Sequence, residues 1–149
     1  MEQKSTSQLV NVLKSSHMGD IPQYQQQFLQ DVPVSFAAYM DELVKAKGLK
    51  RQDIFQRADL PQKYGYKLLT GESHTVDRDK LLRIFLAMKL SLKETQRALE
   101  LYGLPPLYPK KVRDAILIIA INRSIGSVDE VNAILEAHGE PGLSRSRDE

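Results

Sequence analysis

Leu49-Lys50-Arg51-Gln52-Asp53-Ile54-Phe55-Gln56-Arg57-Ala58-Asp59-Leu60-Pro61-Gln62-Lys63-Tyr64-Gly65-Tyr66-Lys67-Leu68-Leu69-Thr70-Gly71 is the stretch whose reading decides the fold. It divides at Asp59-Leu60-Pro61 into two short helical runs. In the first, Lys50 to Ala58, the spacing turns Ile54 and Phe55 inward and Arg51, Gln52 and Gln56 outward. The second runs from Gln62 to Leu69 and stops at Thr70-Gly71. Pro61 suits its first turn, where a missing N–H costs no helical bond.

Outward from this pair, the flanks are also helical. On the N-terminal side, Ser35 is an N-cap for a helix that places Phe36, Tyr39, Met40, Leu43 and Val44 on one face, with Gly48 closing it. On the C-terminal side, a polar loop, Glu72-Ser73-His74-Thr75, precedes a helix with Leu81, Leu82, Ile84, Phe85 and Met88 at core spacing. Ser91-Leu92-Lys93-Glu94 matches a capping box and opens a further helix that ends at Gly103.

Leu104-Pro105-Pro106-Leu107-Tyr108-Pro109 cannot continue a helix and is too apolar for a free linker, so it is expected as an extended segment packed on the surface. Two helices follow, Lys110 to Ser124 and Ser127 to His138, the second opened by Ser127-Val128-Asp129-Glu130, another capping-box match. Residues from Leu143 onward are expected to fray. Near the N-terminus, Leu9, Val10 and Leu13 suit one short helix and Tyr24 to Leu29 a weaker one, with a break at Val32-Pro33-Val34. No β-alternation of useful length occurs, so the expected class is all-α. The expected organisation is an N-terminal extension over 1–34, a helical module over 35–102 and a two-helix segment over 103–149.

Composition narrows the function classes. The chain has 149 residues, enough to bury a core, and no cysteine, which excludes a disulfide framework, a thiolate nucleophile and a cysteine zinc site. Its longest apolar run, Ala115 to Ile121, is too short to span a bilayer, and the N-terminus lacks the pattern of a secretory signal. A cytoplasmic protein is therefore expected. His17, His74 and His138 are scattered without a ligand-spaced partner, and no phosphate-binding or nucleophile-elbow string occurs, so neither metal, cofactor nor catalysis is expected. The formal net charge is only +2. Its distribution is uneven: −1 over residues 1–48, +3 over 49–83 and 0 over 84–149.

Helix, short helix, three-residue turn, short helix, polar loop and packing helix is the order of a helix-turn-helix module. The segment Leu49 to Gly71 resembles, without a gap, the XRE family of Cro and phage-repressor-like transcriptional regulators, and with its flanks the resemblance covers about Ser35 to Tyr102. It extends less specifically to XRE-like proteins with a tail resembling Gly-Leu-Pro-Pro-Leu-Tyr-Pro and two helices. The resemblance implies a five-helix domain that binds double-stranded DNA and reads the major groove with the helix beginning at Gln62. Arg51 falls where the family reaches phosphate. Gln62 and Lys63 fall at the tip of the recognition helix, with Tyr66 and Lys67 one turn on. Ser73, His74 and Thr75 occupy the loop that would touch backbone phosphate, and Arg78 and Lys80 would extend that clamp. The side-chain chemistry fits: Gln pairs with adenine, Lys donates to guanine or phosphate, and Tyr covers a thymine methyl.

The segment departs from the family at three positions, where Phe55, Asp59 and Gly65 replace a small residue, a turn glycine and a buried aliphatic. Asp tolerates the left-handed region. Phe55 facing Gly65 would be a compensating exchange of large for small. Tyr66 is expected outward, and Tyr64 reads either way. Asp114 to Asn122 is apolar nearly all round, which suits either a central core helix or a homodimer interface formed by the Lys110–Ser124 and Ser127–His138 helices. A protein-interaction adaptor on the same scaffold, without DNA binding, is the rival reading, favoured by the modest charge, by Gly65 and by the lack of Arg on the second helix.

Overall fold

A computed structural model describes residues 35–145 of the chain. The short helices expected around Leu9 to Leu13 and Tyr24 to Leu29 lie outside the described residues. Among the described residues seven α-helices run in order: α1 Phe36–Ala46, α2 Arg51–Ala58, α3 Gln62–Thr70, α4 Arg78–Ala87, α5 Leu92–Tyr102, α6 Val112–Asn122 and α7 Val128–Ala137. No strand occurs among the described residues, so the class is all-α.

Local chemistry places most helix ends. The Ser35 hydroxyl accepts from Ala38 N–H at 3.1 Å, and Ser91 with Glu94 forms the reciprocal capping box. At Ser127 the hydroxyl accepts from Glu130 N–H at 3.2 Å. Pro61 is the N-cap of α3 rather than its first helical residue, and its carbonyl accepts the first helical bond from Gly65. Four helix ends turn through glycines with positive φ: Gly48, Gly71, Gly103 and Gly139. The other three turn through Asp59, Lys89 and Ser124, all left-handed, at a cost of about 1 kcal/mol or more each relative to glycine.

The central element is α4. Every residue from Lys80 to Met88 is buried, and α4 packs on α2, α5 and α7. Phe85 and Tyr102 flank the Phe36 ring at centroid distances of 6.3 and 4.7 Å. The apolar α6 is peripheral by comparison. Ile116, Leu117, Ala120 and Ile121 are buried, while Val112 and Ile119 are 62% and 52% exposed. Tertiary neighbours have therefore reversed the order that hydrophobicity alone suggests: α4 is surrounded despite carrying Lys80 and Arg83.

Arg83 explains how. It is 2% exposed, and its guanidinium donates to Ala58 O at 3.0 Å, Leu143 O at 2.8 Å and Ser144 O at 2.6 Å. The planar fork satisfies three carbonyls from two segments distant in sequence. Burial lowers its pKa, and Asp59 opposes that shift.

The C-terminal end of the described chain corrects the expectation of fraying. Leu143 is 3% exposed and its N–H donates to Asn132 Oδ1 at 2.7 Å. Ser144 bonds Asp79 through its N–H and Asp77 through its hydroxyl, and Lys80 Nζ bonds the Arg145 carbonyl. Arg113 clamps Asp79 with two bonds at 3.0 and 2.9 Å and also holds the carbonyls of Pro141 and Gly142. Residues 141–145 therefore form a strap across the start of α4, tied mainly by polar bonds that no hydropathy pattern announces.

The proline segment packs as expected. Leu107 is buried, and the Gln96 amide pairs with both its N–H and its carbonyl at 2.8 and 2.9 Å.

Candidate nucleic-acid interface

The α2–α3 pair is shaped by one aromatic ring. Phe55, 1% exposed, lies against Gly65 so closely that a Cβ there would fall 2.4 Å from Phe55 Cδ1. The large residue on α2 fills the space left by the missing side chain on α3, so the two departures from the family pattern compensate each other. Asp59 makes the turn between the helices with φ 55° and ψ 49°.

This close approach forms a groove with Phe55 as its apolar floor. Arg51, Gln62, Lys63, Tyr66, Lys67 and Glu72 also line it. Gln62 and Lys63 are exposed, Tyr66 is 51% exposed and Lys67 is half-buried. Tyr64, one residue before Gly65, packs partly against the core. Five of the nine sequence-derived site residues thus share one surface: Arg51, Gln62, Lys63, Tyr66 and Lys67.

The other four are elsewhere. His74 stacks on the Tyr102 ring with centroids 4.5 Å apart and planes 7° from parallel. Thr75 N–H donates to the Tyr102 hydroxyl at 2.8 Å. Ser73 is half-buried, and its N–H bonds Lys67 O. The His74 and Thr75 contacts pin the polar loop to Tyr102 at the end of α5, and the Ser73 bond ties it back to α3, leaving the His74 imidazole at the surface.

Arg78 and Lys80 are not placed as a phosphate clamp. Arg78 donates to Asp114 Oδ1 at 2.6 Å and to the carbonyls of Pro105 and Pro106. It is held there because Asp114, itself 3% exposed, needs a cation at that depth. Lys80 is 6% exposed and engages the strap.

Two carboxylates temper the groove, and nothing in the sequence signals that one of them, Asp41, reaches it. Asp41 on α1 bonds Arg51 at 2.6 Å and Lys45 at 2.9 Å. Those hydrogen bonds, Lys45 first and Arg51 second, lower the Asp41 pKa. Arg51 also buries its Nε without a hydrogen-bond partner among the described residues. Glu72 borders the groove at the far end of α3. It was visible as an acid in the loop, whereas Asp41 is ten residues from Arg51 and gives no local signal of the pairing. Counting Arg51, Lys63 and Lys67 against Glu72 and Asp41 leaves a local charge of +1.

No three His, Asp or Glu side chains converge on a metal-sized site among the described residues, and no helix among them is long and apolar enough to cross a membrane. No protein-family model, curated protein or solved structure matches the chain.

Proposed function

We propose that the chain is a sequence-specific double-stranded DNA-binding protein of the helix-turn-helix type, phage-repressor-like in its five-helix module over 35–102, and acts in transcription regulation. The observation that carries this reading is the placement of Gln62, Lys63, Tyr66 and Lys67 together along the solvent face of α3, which follows the eight-residue α2 across a left-handed turn. Gln62 at the tip of α3 offers the donor and acceptor for an adenine edge, and Lys63 and Lys67 supply charge for phosphate or guanine. A single α3 reads only a few base pairs, so the reading includes a second copy joined through α6 and α7 on half-sites about 34 Å apart. Exposed Val112 and Ile119 on α6 support that pairing.

Selection of bound duplexes from a random pool, followed by salt titration, tests this. Lys63 and Lys67, with Arg51 held by Asp41, should give a slope of log K against log salt of about −2 per subunit, at about −0.9 per neutralised phosphate. Gln62→Ala with Lys63→Ala should abolish retention and move stability by less than about 0.5 kcal/mol, since both side chains are exposed. A flat salt response in the parent rejects the reading. A protein-interaction adaptor is the second reading, favoured by the Asp41–Arg51 pair and by Glu72 at the rim; partner binding that survives the double change supports it.

A further inference from the structure

Eight arginines lie in the described residues. Six are engaged: Arg51, Arg78, Arg97, Arg113 and Arg145 in ion pairs, and Arg83 with buried carbonyls. The remaining two, Arg57 and Arg123, have no ion-pair partner among the described residues, and both line the same pocket. Lys89, Ser124, Ser127 and Glu130 complete its polar wall. Three cations face one carboxylate.

The backbone here is also unusual. Lys89 and Ser124 occupy left-handed helix ends with φ of 54° and 55°, where four other helices use glycine. Gly126 adjoins the Lys89 stem, since a Cβ there would fall 2.7 Å from Lys89 Cε. The ammonium is thus kept at a strained position, with a glycine opposite making room for its stem. Cations at the ends of α2, α4 and α6 also offset the exposed carbonyls there. That role is met by any cation in a last turn and does not require one at the left-handed residue itself.

We propose that this pocket binds the phosphate group of a small phosphorylated molecule. Two guanidiniums and an ammonium meet the charge of a phosphate dianion, and the Ser127 O–H, whose oxygen caps α7, can still donate to a phosphate oxygen beside Ser124. Arg57 follows Phe55 by two residues, about 200° around α2. The pocket therefore lies across α2 from the groove floored by Phe55, which favours a free ligand over the backbone of a duplex seated in that groove. The inference does not depend on the groove's own function.

Calorimetric titration of the full chain with pyrophosphate, at ionic strength held constant with sodium chloride, tests it. Binding should weaken at least tenfold in Lys89→Gly and in Arg123→Gln. The melting temperature of Lys89→Gly should hold or rise, because glycine relieves the left-handed strain. Gln62→Ala with Lys63→Ala should leave pyrophosphate binding unchanged whether or not the groove binds DNA. Absence of binding by the parent, or a Lys89→Gly variant within twofold of it, overturns the proposal. A duplex that competes with pyrophosphate and loses affinity in parallel in Lys89→Gly overturns the small-molecule source.

Discussion

Two cationic clusters, one around the α2–α3 groove and one around the start of α4, have opposite fates. Around the α2–α3 groove, Lys63 and Lys67 face solvent with Gln62 and Tyr66 between and beside them. Around the start of α4, Arg78, Lys80, Arg83 and, from α6, Arg113 are drawn into bonds with Asp114, Asp79 and the strap carbonyls. The difference is set by what lies opposite each cation. Where buried carboxylates and carbonyls need donors, a cation is consumed as structure; where the neighbour is the Phe55 ring, which offers no acceptor, the polar side chains of α3 remain available.

The groove depends on that ring, and its removal should have the largest effect. Phe55→Ala is expected to cost about 3 to 5 kcal/mol in urea denaturation, the range for truncating a buried aromatic. A loss under about 1 kcal/mol would mean that the ring does not hold α2 against α3. On the other side of the comparison, Arg83→Met keeps the stem but strands three buried carbonyls, at roughly 1 to 3 kcal/mol for each left unpaired. Repacking and water recover part of this, so a net loss of about 3 kcal/mol is expected. If the strap is held by Arg83, limited proteolysis should cut near Leu143 faster in this variant; equal rates would show that the strap is tied elsewhere.

Gly65 gives the sharpest test of the groove's shape, because two effects of known sign compete there. Alanine gains about 1 kcal/mol of helix propensity over glycine, while a Cβ placed 2.4 Å from the Phe55 ring brings an overpacking cost of about 1 to 3 kcal/mol. The ring is fully enclosed and has little room to yield, so Gly65→Ala alone should destabilise. In the Phe55→Ala background the obstruction is gone and the same change should stabilise by about 1 kcal/mol. A sign that stays the same in both backgrounds would remove the compensating exchange from the account of this fold.

How much of this was legible follows from how far each contact reaches along the chain. Helix order and ends were readable because the signals are local: Ser91 and Glu94 are three residues apart, and Gly71 and Gly103 mark ends directly. The Phe55–Gly65 exchange spans ten residues and became readable only through the aligned family pattern. The fates of Arg78 and Arg83 were not readable. Their partners Asp114 and Leu143–Ser144 lie 36 and about 60 residues away, and a charged side chain is by default at the surface. The strap is unreadable for the same reason, since its short Pro-Gly-Leu-Ser stretch carries no periodicity. Within the candidate site, the residues on α3 follow from helical spacing, whereas the restraint on Arg51 by Asp41 required α1 and α2 to be packed.

That restraint supplies the smallest and most informative prediction. Arg51 faces both the groove and Asp41, with both side chains about a third or more exposed, so the pair contributes little to stability. Because the hydrogen bonds from Lys45 and Arg51 depress the Asp41 pKa, its contribution is present above the unfolded carboxyl value, ~3.9, and is lost as the pH falls through the lower folded value. The stability gap between the parent and Asp41→Asn should therefore be constant from pH 7 to about 5 and close only below about pH 4. If the groove binds DNA as proposed, the same variant should act there in the opposite direction. Arg51 released from a carboxylate becomes a free phosphate donor, steepening the salt slope by about 0.9 and tightening the complex at low salt. Weaker binding by Asp41→Asn would instead show that Asp41 holds the guanidinium in the orientation a phosphate requires, and the groove would then owe part of its recognition to α1.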